Sequence, residues 1–140
     1  MKHVRKAAMP DKILVDTSAW IEFFRKKESS ISWRLREYLK LNQACYTGPI
    51  AVELFQGAKT SKEVEVIHRL LETIHYVEIT RSHYHRAGQI SHKAARSGKI
   101  FSVVDLTLAV VAHDEQLKLL SLDIHFKEIS QFCPLSLETV

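Results

Sequence analysis

The sequence predicts an α/β domain with three layers, in which a mainly parallel central sheet of about five strands is covered by helices on both faces. Two observations carry this. Short, largely apolar runs, Ile13-Leu14-Val15 and the KLLSL segment at 118–122, read as strands of the kind buried on both faces of a parallel sheet. Between such runs stand longer segments with apolar residues at helical spacing, so strands and helices alternate along the chain. The bulk numbers agree. A chain of 140 residues suits one ordinary domain, 46% apolar residues supply a core, and only four glycines and three prolines imply short loops.

Residues 1–11 read as a basic N-terminal tail and 12–140 as a single domain. The tail has a charged start but no apolar stretch behind it, so it is not a secretory signal, and Met9 is an alternative start. Residues 12–16 form the first strand. Thr17 or Ser18 caps the helix that follows, whose apolar side is Trp20, Ile21, Phe23 and Phe24. Residues 30–42 carry Ile31, Leu35, Tyr38 and Leu39 at helical spacing, and 44–47 form a short strand. Pro49 suits the first turn of a helix that stops at Gly57. Residues 61–75 form an amphipathic helix with Val64, Ile67, Leu70, Leu71 and Ile74 on one face. A strand at 76–79, a polar helix at 82–97 ended by Gly98, and a largely buried helix at 103–116 come next. A strand at 118–122 leading into Asp123, a short helix at 124–131 and a last strand at 135–138 complete the chain.

Composition narrows the function classes. A net charge of +4 mildly favours a polyanionic partner. Cys45 and Cys133 are far apart, with no motif around them, as expected of free thiols in a reducing compartment. No apolar run approaches the roughly 18 residues of a membrane span. The expected location is the cytoplasm, away from membranes.

Four acids stand beside apolar segments. In an open parallel sheet, ligands bind outside the carboxyl ends of the strands, where Asp16 and Asp123 fall. Asp105 opens the buried helix, and Glu53 sits within the short one. Taken singly, each has a plain structural role: Asp16 and Asp105 as helix caps, Glu53 as a solvated helix residue, Asp123 as a turn residue. Taken together, clustered carboxylates raise one another's pKa and call for a counter-charge. Hard oxygen ligands suit Mg²⁺ or Mn²⁺, and such a site can hydrolyse a phosphodiester. Thr17, Ser18 and Ser121 are the hydroxyls placed to orient those carboxylates.

Three segments bearing these four acids resemble those of PIN-domain ribonucleases, and within them the VapC-type toxins of toxin–antitoxin systems. ILVDTSAWIEFF is similar to that family's opening strand, acid and helix. GPIAVELFQGA is similar to the segment bearing its glutamate. FSVVDLTLAVVAHDEQLKLLSLDIHF is similar to the stretch with its last two acids, where a D-x-H-F ending is common. The resemblance spans residues 13–137. It implies a PIN-like fold and a Mg²⁺ or Mn²⁺ site formed by Asp16, Glu53, Asp105 and Asp123. Asp16 and Asp105 would be direct ligands, and Glu53 and Asp123 would bind directly or through water. It further implies hydrolysis of RNA by an activated water, inhibition of translation, a homodimer, and a VapB-type antitoxin whose C-terminal segment covers the acids. Two positions depart from the family pattern. Ser121 stands where threonine is frequent, and Ile124 where a polar or basic residue is often found.

RNA is a polyanion, so Arg25, Lys26, Lys27, Arg96, Lys99 and His125 are candidates for holding it, although each also reads as part of a solvated face. Apolar residues on the helices at 30–42 and 61–75 are candidates to receive an antitoxin helix, with core packing as the simpler role. His83, His85 and His92 lack the cysteines or paired spacing of a zinc site, and Trp20 and Trp33 read as core. The rival classes are a phosphotransfer α/β domain and a non-catalytic domain that binds a divalent metal. Ser18, where a haloacid-dehalogenase phosphatase needs its second acid, counts against the first.

Overall fold

The structure, a computed structural model, describes residues 11–138. Apart from Asp11, the expected basic tail and Met9 lie outside the described residues. The elements are β1 (Ile13–Val15), α1 (Thr17–Arg25), α2 (Ser30–Lys40), β2 (Ala44–Tyr46), α3 (Gly48–Gly57), α4 (Ser61–Thr73), β3 (His75–Tyr76), α5 (Arg81–Arg96), α6 (Val103–Asp114), β4 (Lys118–Leu120) and α7 (His125–Ile129).

The four strands among the described residues are all parallel, in the order β3-β2-β1-β4. The fifth expected strand, at 135–138, is reduced to a single parallel bridge between Leu119 and Leu137. The strand expected at 76–79 pairs only through His75 and Tyr76, with the Val77 amide adding one bond to Tyr46. The one expected at 118–122 stops at Leu120, so Asp123 lies in the loop beyond it.

Leu14, Val15, Leu119 and Leu120 are wholly buried at the centre of the sheet. Burial of each such side chain is worth roughly 1.5–3 kcal/mol relative to exposure. Helices cover them in two groups. α1 packs on α2 and α3, and α3 on α4; α5 and α7 pack on α6. Every residue of α6 from Leu106 to Ala112 is buried, on all sides of the helix, and the polar one among them, Thr107, donates its hydroxyl to the Val103 carbonyl. The strand order reverses at β1: the chain steps outward to β2 and β3, then returns to place β4 on the other side. Such a reversal opens a crevice at the carboxyl ends of the strands.

The helix ends are closed locally. α4 and α5 each begin with a capping box, from Thr60 with Glu63 and from Thr80 with His83. α5 ends at Gly98 with φ +78°, its amide bonded to Ala95 and that of Lys99 to Ala94. α2 and α6 end in the same bond pattern with Asn42 and Gln116 in the left-handed position, at φ 58° and 57°. The expected core role of Trp33 is not met. It is 58% exposed, with the Arg36 guanidinium 4.7 Å from its ring centre, whereas Trp20 is fully buried.

Candidate active site

The ladder between β1 and β4 builds the site. Val15 pairs with Leu120, and the Asp16 amide, one step past the end of β1, donates at 2.9 Å to the carbonyl of Leu120, the last residue of β4. Asp16 is thereby set beside Ser121. It occupies the cap position of α1, displacing the expected Thr17 or Ser18, but its side chain makes no capping bond. Its Oδ2 instead accepts from Ser18 at 2.9 Å and from Ser121 at 2.8 Å.

Both serines also accept. Ser18 Oγ takes the Leu122 amide and Ser121 Oγ the Asp123 amide, each at 3.0 Å. A hydroxyl has one proton, so with both protons given to Asp16 the 3.2 Å approach of the two Oγ atoms is a contact between acceptors. The arrangement fixes the path of residues 121–123 and brings Asp123 to the crevice. Oδ1 of Asp123 accepts the His125 amide at 2.9 Å and lies 3.1 Å from its Nδ1.

Asp105 arrives from the opposite wall. The cap of α6 is Ser102, whose hydroxyl accepts the Asp105 amide at 3.0 Å, so Asp105 sits in the first turn and is not itself the cap. Burial raises its pKa most. The Ser102 hydroxyl pulls it down, and the charges of Asp123 and Asp16 push it up again. Asp105, Asp123 and His125 each offer a ligand atom within 4.8 Å of the others, a set able to hold a divalent ion. Its two carboxylates are hard oxygen donors, so that part of the donor set fits the expected ion. Asp16 adjoins this set and acts on Asp105 through charge. Glu53 stands outside it, exposed on α3, with Oε1 accepting from the buried Thr17 hydroxyl at 2.8 Å.

His125 was expected only as an RNA contact. Its membership of the carboxylate set was missed, although the Asp-x-His spacing was visible. The basic candidates are scattered. Arg25, Lys26 and Lys27 lie at the far end of α1, roughly 13 Å along the axis from Asp16 at 1.5 Å per residue. Lys26 is 3.9 Å from Glu22 and Lys99 is 3.4 Å from Glu128, while Arg96 ends α5. His83 is buried, accepts the Thr80 amide at Nδ1 and lies 3.5 Å from Glu115; His85 and His92 are exposed.

A groove of about 550 Å³ runs between α1, α3 and α4. Ile21, Phe24, Leu54, Val66 and Ile67 give it apolar walls, and Glu53, Arg25, Lys59 and Lys62 are charged residues along it. Ile31 and Leu35 of α2 are buried in the core and do not line it.

The chain is similar to ribonuclease VapC11 of Mycobacterium tuberculosis, at 28% identity over 123 residues that cover 85% of this chain and 92% of the relative. Among solved structures, the DNA-bound VapBC of Salmonella typhimurium matches with a TM-score of 0.74 at 20% identity, over 91% of this chain and 96% of the other. VapBC2 of Rickettsia felis, bound to a promoter DNA fragment, matches with a TM-score of 0.74 at 21% identity, over 90% and 96%. At those identities the likeness to the structures is one of fold. No helix among the described residues is long and apolar enough to cross a membrane. The PIN domain model matches residues 13–131, from the first residue of β1 to beyond the end of α7, and so takes in every element that carries an acid of the site; the chain belongs to the PIN domain family.

Proposed function

We propose that this chain is a Mg²⁺- or Mn²⁺-dependent endoribonuclease acting as the toxin of a VapBC-type pair. The observation that supports it most is the convergence of Asp105, Asp123 and His125, with Asp16 adjoining them, at the reversal point of a parallel sheet, two serine hydroxyls fixing Asp16. The relatives' names point the same way.

Asp16, Asp105 and Asp123 would hold the ion, with His125 beside them. A divalent cation there supplies stabilisation of the negative charge that builds up at phosphorus and acidifies water. Ser18 and Ser121 keep Oδ2 of Asp16 pointed, leaving Oδ1 for coordination. His125 occupies Oδ1 of Asp123 and leaves Oδ2. Thr17 anchors Glu53 through Oε1. Oε2 of Glu53, which carries no hydrogen bond among the described residues, would take a proton from the attacking water or bind the ion through water. Arg25, Lys26, Lys27, Arg96 and Lys99 then hold phosphates one or more nucleotides away from the scissile bond.

The partners in this assignment are RNA, a second copy of the chain, and a VapB-type antitoxin. The groove between α1, α3 and α4, with Glu53 along its wall, suits an amphipathic antitoxin helix better than α2 does. The test is incubation of total cellular RNA with purified, antitoxin-free protein in Mg²⁺ or Mn²⁺, in EDTA, and beside Asp16→Asn. Discrete fragments that need both the metal and Asp16 are expected. Well-folded protein that cuts nothing in either metal, or cuts equally in EDTA, would overturn the proposal.

A further inference from the structure

We propose that Trp33 and the basic turn before α2 form a second RNA contact, remote from the acids, in which a base stacks on the open face of the indole while Lys26, Lys27 and Lys40 hold the adjoining phosphates. The contact rests on the ribonuclease assignment and adds to it a binding site that the acids do not share.

Trp33 is the fourth residue of α2 and is 58% exposed, the largest side chain among the exposed apolar residues described. One apolar residue at a surface is ordinary, but this ring is fixed from behind. The Arg36 guanidinium lies 4.7 Å from its centre, and Nη2 of Arg36 donates to the Lys27 carbonyl at 2.6 Å. The guanidinium thus covers one face of the indole and leaves the other to solvent. The turn is held as firmly. Ser29 caps α2 by accepting the Ser32 amide at 3.1 Å, and the buried Ser32 hydroxyl donates to the Lys26 carbonyl. Lys26 and Lys27 therefore project from a fixed turn, toward which the Trp33 side chain leans, because helical side chains tilt to the N-terminus. Lys40, seven residues after Trp33, lies on the same face of α2.

Residues 25–40 carry six Lys or Arg against two acids, Glu28 and Glu37, a net +4 that equals that of the whole chain. Arg34 is taken by Glu138, and Lys26 lies 3.9 Å from Glu22; Arg25, Lys27 and Lys40 have no ion pair among the described residues. A fixed ring among unpaired cations matches a polyanion that carries flat aromatic faces. The ring stacks on any base, and the cations neutralise phosphates. A protein helix would call for an apolar stripe, but the neighbours of Trp33 on its face, Arg36, Glu37 and Lys40, are all charged. Lys26 lies roughly 15 Å from Asp16 along α1 at 1.5 Å per residue. That is about four nucleotides of a stacked strand at 3.4 Å each, so the contact acts on RNA well beyond the scissile bond.

The test is fluorescence anisotropy of a labelled oligoadenylate, long enough to span both sites, titrated with the full chain in EDTA. Trp33→Ala should raise Kd about tenfold, and Trp33→Tyr, which keeps a ring, should stay within a few-fold of wild type. Lys27→Glu/Lys40→Glu should weaken binding and flatten its salt dependence. An abasic strand of the same length should bind wild type and Trp33→Ala alike. No binding of the oligoadenylate by wild type, or an unchanged Kd in Trp33→Ala, while wild type still cuts total RNA in Mn²⁺, would overturn the contact and leave the nuclease standing. A Trp33→Ala variant that changes its mass in solution, or that loses affinity for the abasic strand as well, would also overturn it, by showing the ring to be a contact between copies or a structural prop. Wild type that neither binds nor cuts RNA would overturn the nuclease and the contact together.

Discussion

The hydroxyl of Ser121 donates to Oδ2 of Asp16 at 2.8 Å, joining the carboxyl ends of two neighbouring parallel strands across 105 residues of sequence. The same Oγ accepts the Asp123 amide, so one serine positions two of the acids. Ser121→Ala should lower metal affinity or cleavage rate by about 10- to 100-fold. Ser121→Thr, which keeps the hydroxyl, should stay within a few-fold of wild type. Mn²⁺ titration of the folded variants checks both.

Asp105 is strained by its neighbours when no cation is bound. Burial and the charges of Asp123 and Asp16 disfavour its ionised form. Asp105→Asn should therefore melt higher than wild type in EDTA. Adding Mn²⁺ should raise the wild-type melting temperature and do little for the variant. Thermal unfolding with and without Mn²⁺ reads both effects.

Glu138 ties the end of the described chain to α2 and β4. Its Oε2 accepts from Tyr38 and Arg34, both at 2.6 Å, and its Oε1 lies 3.6 Å from Lys118 Nζ. The Tyr38 hydrogen bond lowers its pKa most; burial opposes, and Arg34 and Lys118 add to the lowering. A depressed carboxylate stabilises the fold at pH values above its ordinary pKa, and that contribution is lost as pH falls through the depressed value. Glu138→Gln should be less stable than wild type near neutrality, by about 1 kcal/mol, with the gap closing in acid. Urea unfolding at several pH values measures it.

Gln116 holds a left-handed backbone at φ 57°, where glycine is free of side-chain strain. Gln116→Gly should leave cleavage unchanged and stabilise the fold by up to about 1 kcal/mol, as read by urea unfolding.

Much of this was legible in the residues. The Ile13-Leu14-Val15 run ending in Asp16 fixed both a buried strand and the place of an acid, because a wholly apolar triplet has no solvent face. The helices at 61–73 and 81–96 fell close to where periodicity put them. The errors differ in cause. Whether Asp16 caps its own helix depends on Ser121, and nothing local shows that β4 lies beside β1. Trp33 is two positions from Ile31, and a step of two turns a side chain about 200° around a helix. With Ile31 and Leu35 facing the core, Trp33 had to face outward. The last strand shrank to one bridge, in which Leu119 donates its amide to Ser136 and accepts the amide of Glu138. His125 joined the acids through the turn at 121–125, whose shape is set by Ser18 from the other end of the chain.

The most direct test of the metal centre is anomalous diffraction from crystals of the full chain grown with Mn²⁺. We expect an ion with oxygens of Asp16, Asp105 and Asp123 within coordination distance, roughly 2 Å, and no ion there in Asp105→Asn. A wild-type crystal with no manganese at this crevice, at an ion concentration that supports cleavage, or with manganese bound only elsewhere, would contradict the assignment of these acids as the centre of the enzyme.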